Sequence, residues 1–433
     1  MTVKRVAIHT LGCKVNQNEA EAMAGLFREA GYQVVDFDGE ADVYVIHTCT
    51  VTHLGDRKSR QVIRRAVRQN PEAVVVVSGC YAQVAPGEVM EIPGVDLVIG
   101  TQHRARIVEL AEQVMRERQP LNAVQDILRV QEFEELPVAE TGRVRAFMKI
   151  QEGCQNFCTY CIIPFARGPV RSRRPEKVLE EAQRLVNNGY KEIVLTGICT
   201  GAYGRDLGEG IDLNRLLLRL KEIPGLLRIR ISSLDPNDFT PDLIDTLTGD
   251  PVFCPHLHIS LQSGNDKVLK DMRRQYTTAY FARLLQALRS RRPRIAVTTD
   301  IMVGFPGETE AEHESSLAFV EKMELAGLHV FKYSQRKGTK AYHFPGQVPY
   351  QVKEKRSHDF LALDKKLRDA YARSFLGETL AVLVETGVDG GCWEGHTGNY
   401  LKVRFPAAAD LRGQMVQVRL EEAVEDFIMG SLV

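Results

Sequence analysis

The sequence predicts a mixed α/β protein in three parts. These are an N-terminal parallel-sheet α/β domain, a central partial TIM-type (β/α) barrel of about six units and a small C-terminal all-β barrel. Three observations predict this fold: strand-like runs alternate with helix-like segments in the first 100 residues, six further strand–helix units follow, and short strands with Gly-rich turns fill the last 58 residues. We place the domains at 1–141, 142–372 and 373–433.

Composition limits the class of protein. The 433 residues are 44% hydrophobic and 26% charged, typical of a soluble globular chain. Formal net charge is zero, so a polyanion partner needs a local basic patch. The strand-like start MTVKRVAIHT and the lack of a long uncharged apolar run argue against a signal peptide and a membrane span. Nine cysteines, an odd number, favour a reducing compartment and metal ligation, so we expect a cytoplasmic protein.

In the first domain, three apolar runs are each followed closely by a cysteine. The pairs are Val3–Ile8 with Cys13, Val43–Ile46 with Cys49 and Val74–Val77 with Cys80. Because the carboxyl ends of parallel strands line one edge of a sheet, these cysteines can converge although more than 30 positions separate them. Free cysteines are commonly buried as small hydrophobes. Three in the same position relative to three strands favour a metal site instead, and we call them the strand-end triplet.

The second domain starts after a helix predicted at Ala105–Arg118 and an acidic connection ending EELPVAETGR, which indicates a linker near residue 140. Its predicted strands are Ala146–Ile150, Glu192–Leu195, Leu227–Ile231, His256–Leu261, Ala296–Val303 and Gly327–Tyr333. Helix-like stretches separate these strands, as in a (β/α) barrel. Such barrels carry their chemistry on loops at the carboxyl ends of the strands.

Directly after the first barrel strand, the segment Gly153–Arg173 places Cys154, Cys158 and Cys161 in a CxxxCxxC spacing. We call them the loop triplet. Three thiolates can hold a four-iron cluster and leave one iron open to an exogenous ligand. The alternatives are a zinc knuckle and a chance cluster of cysteines. A knuckle would need a fourth Cys or His nearby, and no His lies between or just beyond these cysteines.

The loop triplet resembles that of the radical S-adenosylmethionine (SAM) enzymes. That resemblance implies SAM contacts at strand ends, where small residues allow close approach. The candidate contacts are Tyr160, Thr196, Gly197, Ser232, Ser233, Gln262 and Gly304. Cys199, Cys254 and Cys392 match no ligand position of the family. Cys199 is near the proposed SAM site and is interpreted as packing, as is His47, while His53 has no assigned role.

Together with both triplets, GCKVNQNEAE, GCQNFCTYCIIPFARG, HISLQSGNDKVLKDMRRQYT and DIMVGFPGET resemble the radical SAM methylthiotransferases over nearly the whole chain. The C-terminal domain is similar to their TRAM module. The opening GCKVNQNE is more similar to the branch that acts on N6-threonylcarbamoyladenosine in tRNA, since isopentenyladenosine relatives typically read GCQMN there.

The resemblance implies two 4Fe–4S clusters, the second on the strand-end triplet. This second cluster would hold the sulfur or methylthio group for insertion. One SAM would methylate that sulfur and another would supply the radical that activates the nucleobase. No catalytic residue beyond the cluster ligands is expected. The implied partners are tRNA, a reductant protein such as flavodoxin or ferredoxin, and a sulfur donor of unknown identity.

Basic residues around the triplets are candidate RNA contacts. They are Arg57, Lys58, Arg60, Arg64, Arg65 and Arg68 on one predicted helix, Arg167, Arg171, Arg173 and Arg174 after the loop triplet, and Lys332, Arg336, Lys337 and Lys340 after the sixth strand. A solvated helix face is the alternative for the first group, although Asp56 is its only acid. The C-terminal domain is acidic, so RNA binding there would depend on residues such as Tyr400, Lys402 and Arg404.

Three other functions stay open. The same chemistry could act on isopentenyladenosine in tRNA or on a ribosomal-protein aspartate, although the basic helix and the GCKVNQ opening count against the aspartate. A non-catalytic iron–sulfur protein that binds RNA or carries electrons is a third possibility. That function would leave the SAM-like strand ends unexplained.

Overall fold

In the computed structural model, residues 3–137, 144–208 and 210–433 are described. The strands of the first domain are β1 (Arg5–Thr10), β2 (Gln33–Val35), β3 (Val43–Thr48), β4 (Val74–Gly79), β5 (Leu97–Ile99) and β6 (Leu121–Asn122). Its helices are α1 (Lys14–Glu29), α2 (His53–Gln69), α3 (Cys80–Val84), α4 (Pro86–Met90) and α5 (Ile107–Glu117). The predicted boundary at 141/142 lies outside the described residues, as does Gly142 of the predicted linker.

The first domain is a parallel sheet with the strand order β2-β1-β3-β4-β5-β6. Strands β3 and β4 are buried along their whole length. Val43 and Val45 of β3 join one hydrophobic core, while Tyr44 and Ile46 join the core on the opposite face. Both faces are covered, which explains why the apolar runs are continuous in sequence. The neighbours β1, β3 and β4 are the strands that precede the three cysteines.

The central unit has six barrel strands and a small hairpin. The barrel strands are β7 (Arg145–Lys149), β10 (Glu192–Thr196), β11 (Arg228–Ile231), β12 (His256–His258), β13 (Ala296–Val303) and β14 (Gly327–Lys332), and the hairpin is β8 (Gln151–Glu152) with β9 (Arg171–Ser172). The helices are α6 (Ile163–Arg167), α7 (Pro175–Asn187), α8 (Leu213–Leu220), α9 (Pro241–Gly249), α10 (Asp266–Asp271), α11 (Thr278–Arg291), α12 (Glu310–Lys322) and α13 (Tyr350–Arg373).

The six barrel strands form two parallel sheets, β11-β10-β7 and β12-β13-β14. Bridges from Ile229 to Phe253 and from Leu234 to Ile259 join the two sheets into one curved wall. In β10, Ile193 and Leu195 pack in the core under the helices, so the alternate residues of that strand face the lumen. The predicted partial (β/α) barrel of about six units is confirmed.

The C-terminal domain is a closed barrel in the order β15-β16-β17-β19-β18. Its strands are β15 (Thr379–Val388), β16 (Cys392–Thr397), β17 (Lys402–Pro406), β18 (Met415–Val424) and β19 (Phe427–Leu432). The all-β prediction is confirmed. Residues 392–397 form a strand, and a turn with Glu425 at φ 38° separates β18 from β19.

The turn between β16 and β17 fills the N-terminal mouth of the central barrel. The ring centroid of Tyr400 lies 4.5 Å from the Arg230 guanidinium carbon, 5.5 Å from that of Arg145 and 4.9 Å from the His256 ring centroid. Arg228 donates hydrogen bonds to carbonyl oxygens of the C-terminal barrel, including that of Ala381 at 2.6 Å. Tyr400 therefore serves this interface, which corrects its interpretation as an RNA contact. Among the described residues, no helix is both long and apolar enough to span a bilayer.

Candidate metal centres

The strand-end triplet lies at the edge of the first sheet. Cys13 caps α1, Cys49 follows β3, and Cys80 opens α3. The pKa of the Cys80 thiol is raised to about 12, chiefly by burial and against the lowering effect of Arg167. The nearby Cys49 and Cys13 contribute to the rise, so the three sulfurs are close enough to influence one another. Gly12 has φ 110°, and a Cβ there would lie 2.8 Å from the Cβ of Cys49. Glycine therefore permits this approach of two triplet members.

A buried arginine contacts the strand-end triplet from the other domain. Arg167 Nε donates to the Cys80 Sγ at 3.1 Å. Its two terminal nitrogens donate to Glu19 at 2.7 and 3.1 Å, and one of them also donates to Asn16 at 2.7 Å. Arg167 has 0% exposure and ends α6, only six positions after Cys161. Arg167 therefore links the segment that carries the loop triplet to Cys80 of the strand-end triplet.

Arg167 is part of a buried ion network with Glu19, Arg104, Lys149 and Glu152. Burial alone would raise the pKa of Glu19, but Arg104, Arg167 and Lys149 hold it well below its usual range. Burial likewise opposes ionisation of Glu152, and Arg167 and Lys149 lower its pKa to about 2. The network therefore holds two ionised carboxylates between the first and second domains.

The structure corrects the RNA-contact interpretation of three of the four arginines in the second basic group, whereas Arg174 is exposed and stays a prediction. Arg167 serves the network, and Arg171 is fully buried with a hydrogen bond to the Arg167 carbonyl. Arg173 is 6% exposed and is paired with Glu135 at 2.7 Å. Burial and internal pairing keep these three guanidinium groups away from a phosphate backbone.

The loop triplet is fixed at both ends. The hairpin β8–β9 closes the base of the loop, and the amide of Cys154 donates to the Gly168 carbonyl at 3.0 Å. Arg274 Nη1 lies 3.4 Å from the Cys158 Sγ, where it can stabilise negative charge on sulfur. Arg274 therefore contacts a thiol of the loop triplet, as Arg167 contacts a thiol of the strand-end triplet.

Cys199 also contacts the loop triplet. A hydrogen bond from its thiol lowers the pKa of Cys154 to about 7, and the same contact raises the pKa of Cys199. The Cys199 amide donates to Gln151 Oε1 at 2.7 Å, which places the cysteine beside β8. Cys199 therefore contacts the loop triplet through Cys154 in addition to packing.

The three thiols of each triplet are spread more widely than the ligands of a single tetrahedral ion. Among the described residues, the one set of three His, Cys, Asp or Glu ligand atoms within 4.8 Å of one another is His258, Asp300 and His329. A tetrahedral zinc ion with bonds of about 2.3 Å would bring its sulfurs closer than that limit. Neither triplet is so compact. Thiolates at separate corners of a four-iron cluster need the wider arrangement.

The predicted SAM contacts follow strands of the central barrel. Thr196 ends β10, where its hydroxyl is buried and without a hydrogen-bond partner among the described residues, and Gly197 comes next. Ser232 and Ser233 follow β11, and the Ser232 hydroxyl lies 2.8 Å from that of Thr200. These four residues therefore lie at the same edge of the neighbouring strands β10 and β11. The buried Thr196 hydroxyl at this edge is a candidate hydrogen-bonding group for a polar ligand.

The other predicted SAM contacts lie further around the same edge. Gln262 has φ 72° and bridges to Ile301 of β13. Gly304 has φ 71°, and its amide donates to Glu308 at 2.6 Å. Tyr160, between two cysteines of the loop, packs edge-on against Phe305 with ring centroids 6.5 Å apart. A polar cavity of ≈ 100 Å³ lies beside Cys158.

The basic helix α2 presents a charged face. Five predicted RNA contacts on it are exposed: Arg57, Lys58, Arg64, Arg65 and Arg68. Arg65 pairs with Asp38, and the half-buried Arg60 donates to the Tyr81 hydroxyl at 3.1 Å. Asp56, the acid of this helix, is buried and pairs with Arg336 at 2.5 Å. The helix therefore keeps an almost wholly basic outer surface.

The segment after β14 lies against α2. The His53 amide donates to the Ser334 hydroxyl at 3.0 Å, and the Arg336 pair just described adds a second link. Arg336 is 7% exposed and so is removed from the predicted RNA contacts. Lys332 pairs with Glu354, whereas Lys337 is exposed.

Sequence reasoning missed the buried ion network. His47, interpreted as packing, lies 3.0 Å from Glu19 and belongs to it. The one available signal was the pair Asn16 and Glu19, polar residues three apart on α1 within the quoted motif GCKVNQNEAE. Both side chains are almost fully buried.

Comparisons with known proteins agree with this architecture. The model of the uncharacterized protein family UPF0004 matches residues 5–100, and the model of the radical SAM superfamily matches residues 148–320. The radical SAM methyltransferase TsrM from Kitasatospora setae has a similar fold, with a TM-score of 0.56 and 15% identity over 76% of this chain and 75% of that one. The fold, the loop triplet and the matched models define a radical SAM enzyme.

Relatives that align over the full length of the chain identify its family within the radical SAM enzymes. The threonylcarbamoyladenosine tRNA methylthiotransferase MtaB of Bacillus subtilis is 49% identical over 99% of this chain and 96% of its own. The tRNA-2-methylthio-N(6)-dimethylallyladenosine synthase of Moorella thermoacetica is 37% identical over 99% of this chain and 98% of its own. The chain belongs to the radical SAM methylthiotransferase family.

Proposed function

We propose that this protein inserts a methylthio group into N6-threonylcarbamoyladenosine next to the anticodon of tRNA. The observation that carries the proposal is the pair of three-thiol sites joined by Arg167, because two such centres suit sulfur insertion better than radical generation alone. The substrate is proposed from the 49% identity to the Bacillus subtilis enzyme of that name.

The loop triplet would hold the first 4Fe–4S cluster, with SAM at the strand edge that carries Thr196 and Gln262. A cluster bound there supplies one-electron reductive cleavage of a carbon–sulfur bond in SAM. The chain's own residues orient and shield it. The β8–β9 hairpin fixes the loop, Arg274 donates to Cys158, and Cys199 donates to Cys154.

The strand-end triplet would hold a second 4Fe–4S cluster, which would carry the sulfur for insertion. Arg167 would keep the Cys80 thiolate in place, since it donates to that sulfur at 3.1 Å and is itself fixed by Glu19. The domains at 1–141 and 142–372 then each contribute one centre. The domain at 373–433 would seal the barrel mouth through Tyr400.

The substrate tRNA would dock on the exposed face of α2, which directly follows Cys49. Five exposed cations on that helix can contact phosphates along one strand. The reductant would be a protein such as flavodoxin or ferredoxin, which has to deliver single electrons to the loop triplet.

Two sets of cysteine variants test the proposal with anaerobically reconstituted protein. Replacing any member of the loop triplet by Ala should abolish reductive cleavage of SAM. Replacing any member of the strand-end triplet should leave that cleavage and remove methylthio product, measured by mass spectrometry of nucleosides. Product retained by a strand-end variant would refute the second centre, and a wild type that does not cleave SAM would favour the non-catalytic function.

Isopentenyladenosine is the second candidate substrate, because the Moorella thermoacetica relative is named for the dimethylallyl nucleoside. Anticodon stem–loops that carry either nucleoside discriminate the two. Methylthiolation of the threonylcarbamoyl RNA alone supports the proposal, whereas methylthiolation of the isopentenyl RNA alone overturns it.

A further inference from the structure

Three polar side chains meet across the strands β12, β13 and β14. His258 Nε2 lies 3.3 Å from one oxygen of Asp300, and His329 Nδ1 lies 3.5 Å from the other. The two imidazole rings are stacked with centroids 5.0 Å apart and an interplanar angle of 21°. We call these residues the His–Asp–His group.

The group faces the barrel lumen. On the same three strands, Leu257, Ile301 and Leu328 belong to the hydrophobic core under the helices. Successive side chains of a strand alternate between faces, so residues one position away in sequence point to the opposite side. His258, Asp300 and His329 each directly adjoin one of these core residues and therefore line the inside.

The group is open at one end. The side chain of His258 is 9% exposed, that of Asp300 is 22% exposed and that of His329 is 54% exposed, so access increases toward β14, the last strand of its sheet. Thr298 Oγ1 lies 3.0 Å from His258 Nδ1 and fixes that ring. Because the Nδ1 of His329 lies beside Asp300, this exposed ring offers its Nε2 to a ligand.

The group lies on the same wall of the barrel as the predicted SAM contacts. Asp300 lies four residues before Gly304 on β13, which corresponds to about 13 Å along an extended strand. Its carbonyl oxygen accepts a hydrogen bond of 2.8 Å from the amide of Gln262, a predicted SAM contact. The group therefore lies deeper in the lumen than the strand edge but on the same wall.

We propose that the His–Asp–His group binds the amino-acid carboxylate of the threonylcarbamoyl substituent, with His329 Nε2 as the donor. This subsite deepens the proposed function and rests on it. Asp300 would orient His329 through its Nδ1, as a carboxylate does for a histidine that contacts a ligand through its other ring nitrogen. An isopentenyl group offers no acceptor, so binding it would desolvate the His329 ring without giving its Nε2 a hydrogen-bond partner.

The test measures binding to reconstituted protein by fluorescence anisotropy of labelled anticodon stem–loops. One loop carries N6-threonylcarbamoyladenosine, and the other carries its methyl ester, which removes the charge and keeps the size. Wild type should bind the acid at least about tenfold more tightly, because charge-assisted hydrogen bonds are the strong ones. His329→Leu should bind both RNAs with equal affinity. The matched control is His358→Leu, at an exposed histidine on α13, which should keep the preference for the acid.

Each result is informative about a different claim. If wild type methylthiolates the acid RNA but binds acid and ester equally, the subsite is refuted while the proposed function stands. If wild type modifies no threonylcarbamoyl RNA, the function itself fails. Elemental analysis of both proteins tests a different role for the group. If wild type holds one equivalent of zinc or manganese that is absent from His329→Leu, the group is a metal site and the proposal is overturned. The wild-type comparison decides even if the variant misfolds.

Discussion

Replacing Arg167 by Met tests the idea that one side chain holds the two centres in register. Every nitrogen of this guanidinium is used: Nε on the Cys80 sulfur, and the terminal pair on Glu19, Glu152 and Asn16. Methionine fills similar space without a charge. The variant would leave two buried carboxylates facing one cation fewer.

The expected loss follows from burial. Removing one partner of a buried ion pair costs about 3–5 kcal/mol in the free energy of unfolding. Glu19 keeps Lys149 at 2.9 Å and Arg104 at 2.5 Å, so we expect the lower end, about 3 kcal/mol. Adding Glu19→Gln to Arg167→Met should recover part of this loss, because the uncompensated charge is then removed as well.

The assay is urea unfolding of the cluster-free protein, followed by circular dichroism. Arg65→Met is the matched control, since that arginine is exposed on α2 and its pair with Asp38 should contribute less than about 1 kcal/mol. A loss in Arg167→Met of no more than the control value would refute the reasoning. After reconstitution, iron content and the electron paramagnetic resonance of the strand-end site should change in Arg167→Met and stay as in wild type in Arg65→Met.

Three further predictions address the pH dependence, the barrel mouth and the RNA surface. The pKa of Glu152 is lowered from 4.5 to about 2, so the stabilisation from its ionised carboxylate is complete above about pH 4.5 and is lost as pH falls toward 2. The difference in unfolding free energy between wild type and Glu152→Gln should therefore shrink over that pH range. A difference that stays constant would contradict this prediction. Tyr400→Ala should loosen the C-terminal barrel and speed limited proteolysis near residues 374–378, whereas unchanged cleavage would assign the interface to other contacts. Arg68→Gln should weaken binding of tRNA whatever its sequence. It should also reduce the slope of log binding constant against log salt concentration by about the value of one phosphate contact. Arg373→Gln, at an exposed arginine on α13, is the control and should change neither quantity.

The positions of the cysteines and the course of the sheets could be predicted because both depend on local pattern. Continuous apolar runs define buried strands, and a residue just past a strand end goes to a known edge. Cys13, Cys49 and Cys80 follow three neighbouring strands for this reason. The five-stranded barrel was harder, since residues 392–397 contain few strand-forming side chains in alternation.

The roles of the charged residues could not be predicted in the same way. Arg167 and Glu19 are 148 positions apart, and a sequence gives no sign that a cation will meet an acid at that separation. An arginine after a cysteine motif therefore looks like a phosphate ligand although it is buried. The exposed cations of α2 kept their predicted surface position because the helix has one acid, Asp56, which turns inward.

The Tyr400 turn gives the central barrel a floor. With the N-terminal mouth blocked, the lumen is open at the carboxyl ends of its strands and along the open side of the partial barrel, so in the proposed reaction SAM and the nucleobase would enter and leave there. In the same proposal, an RNA docked over α2 would cover the segment after β14, which contacts that helix. Turnover should then be ordered in time, with small molecules loaded before the RNA arrives and exchanged after it leaves.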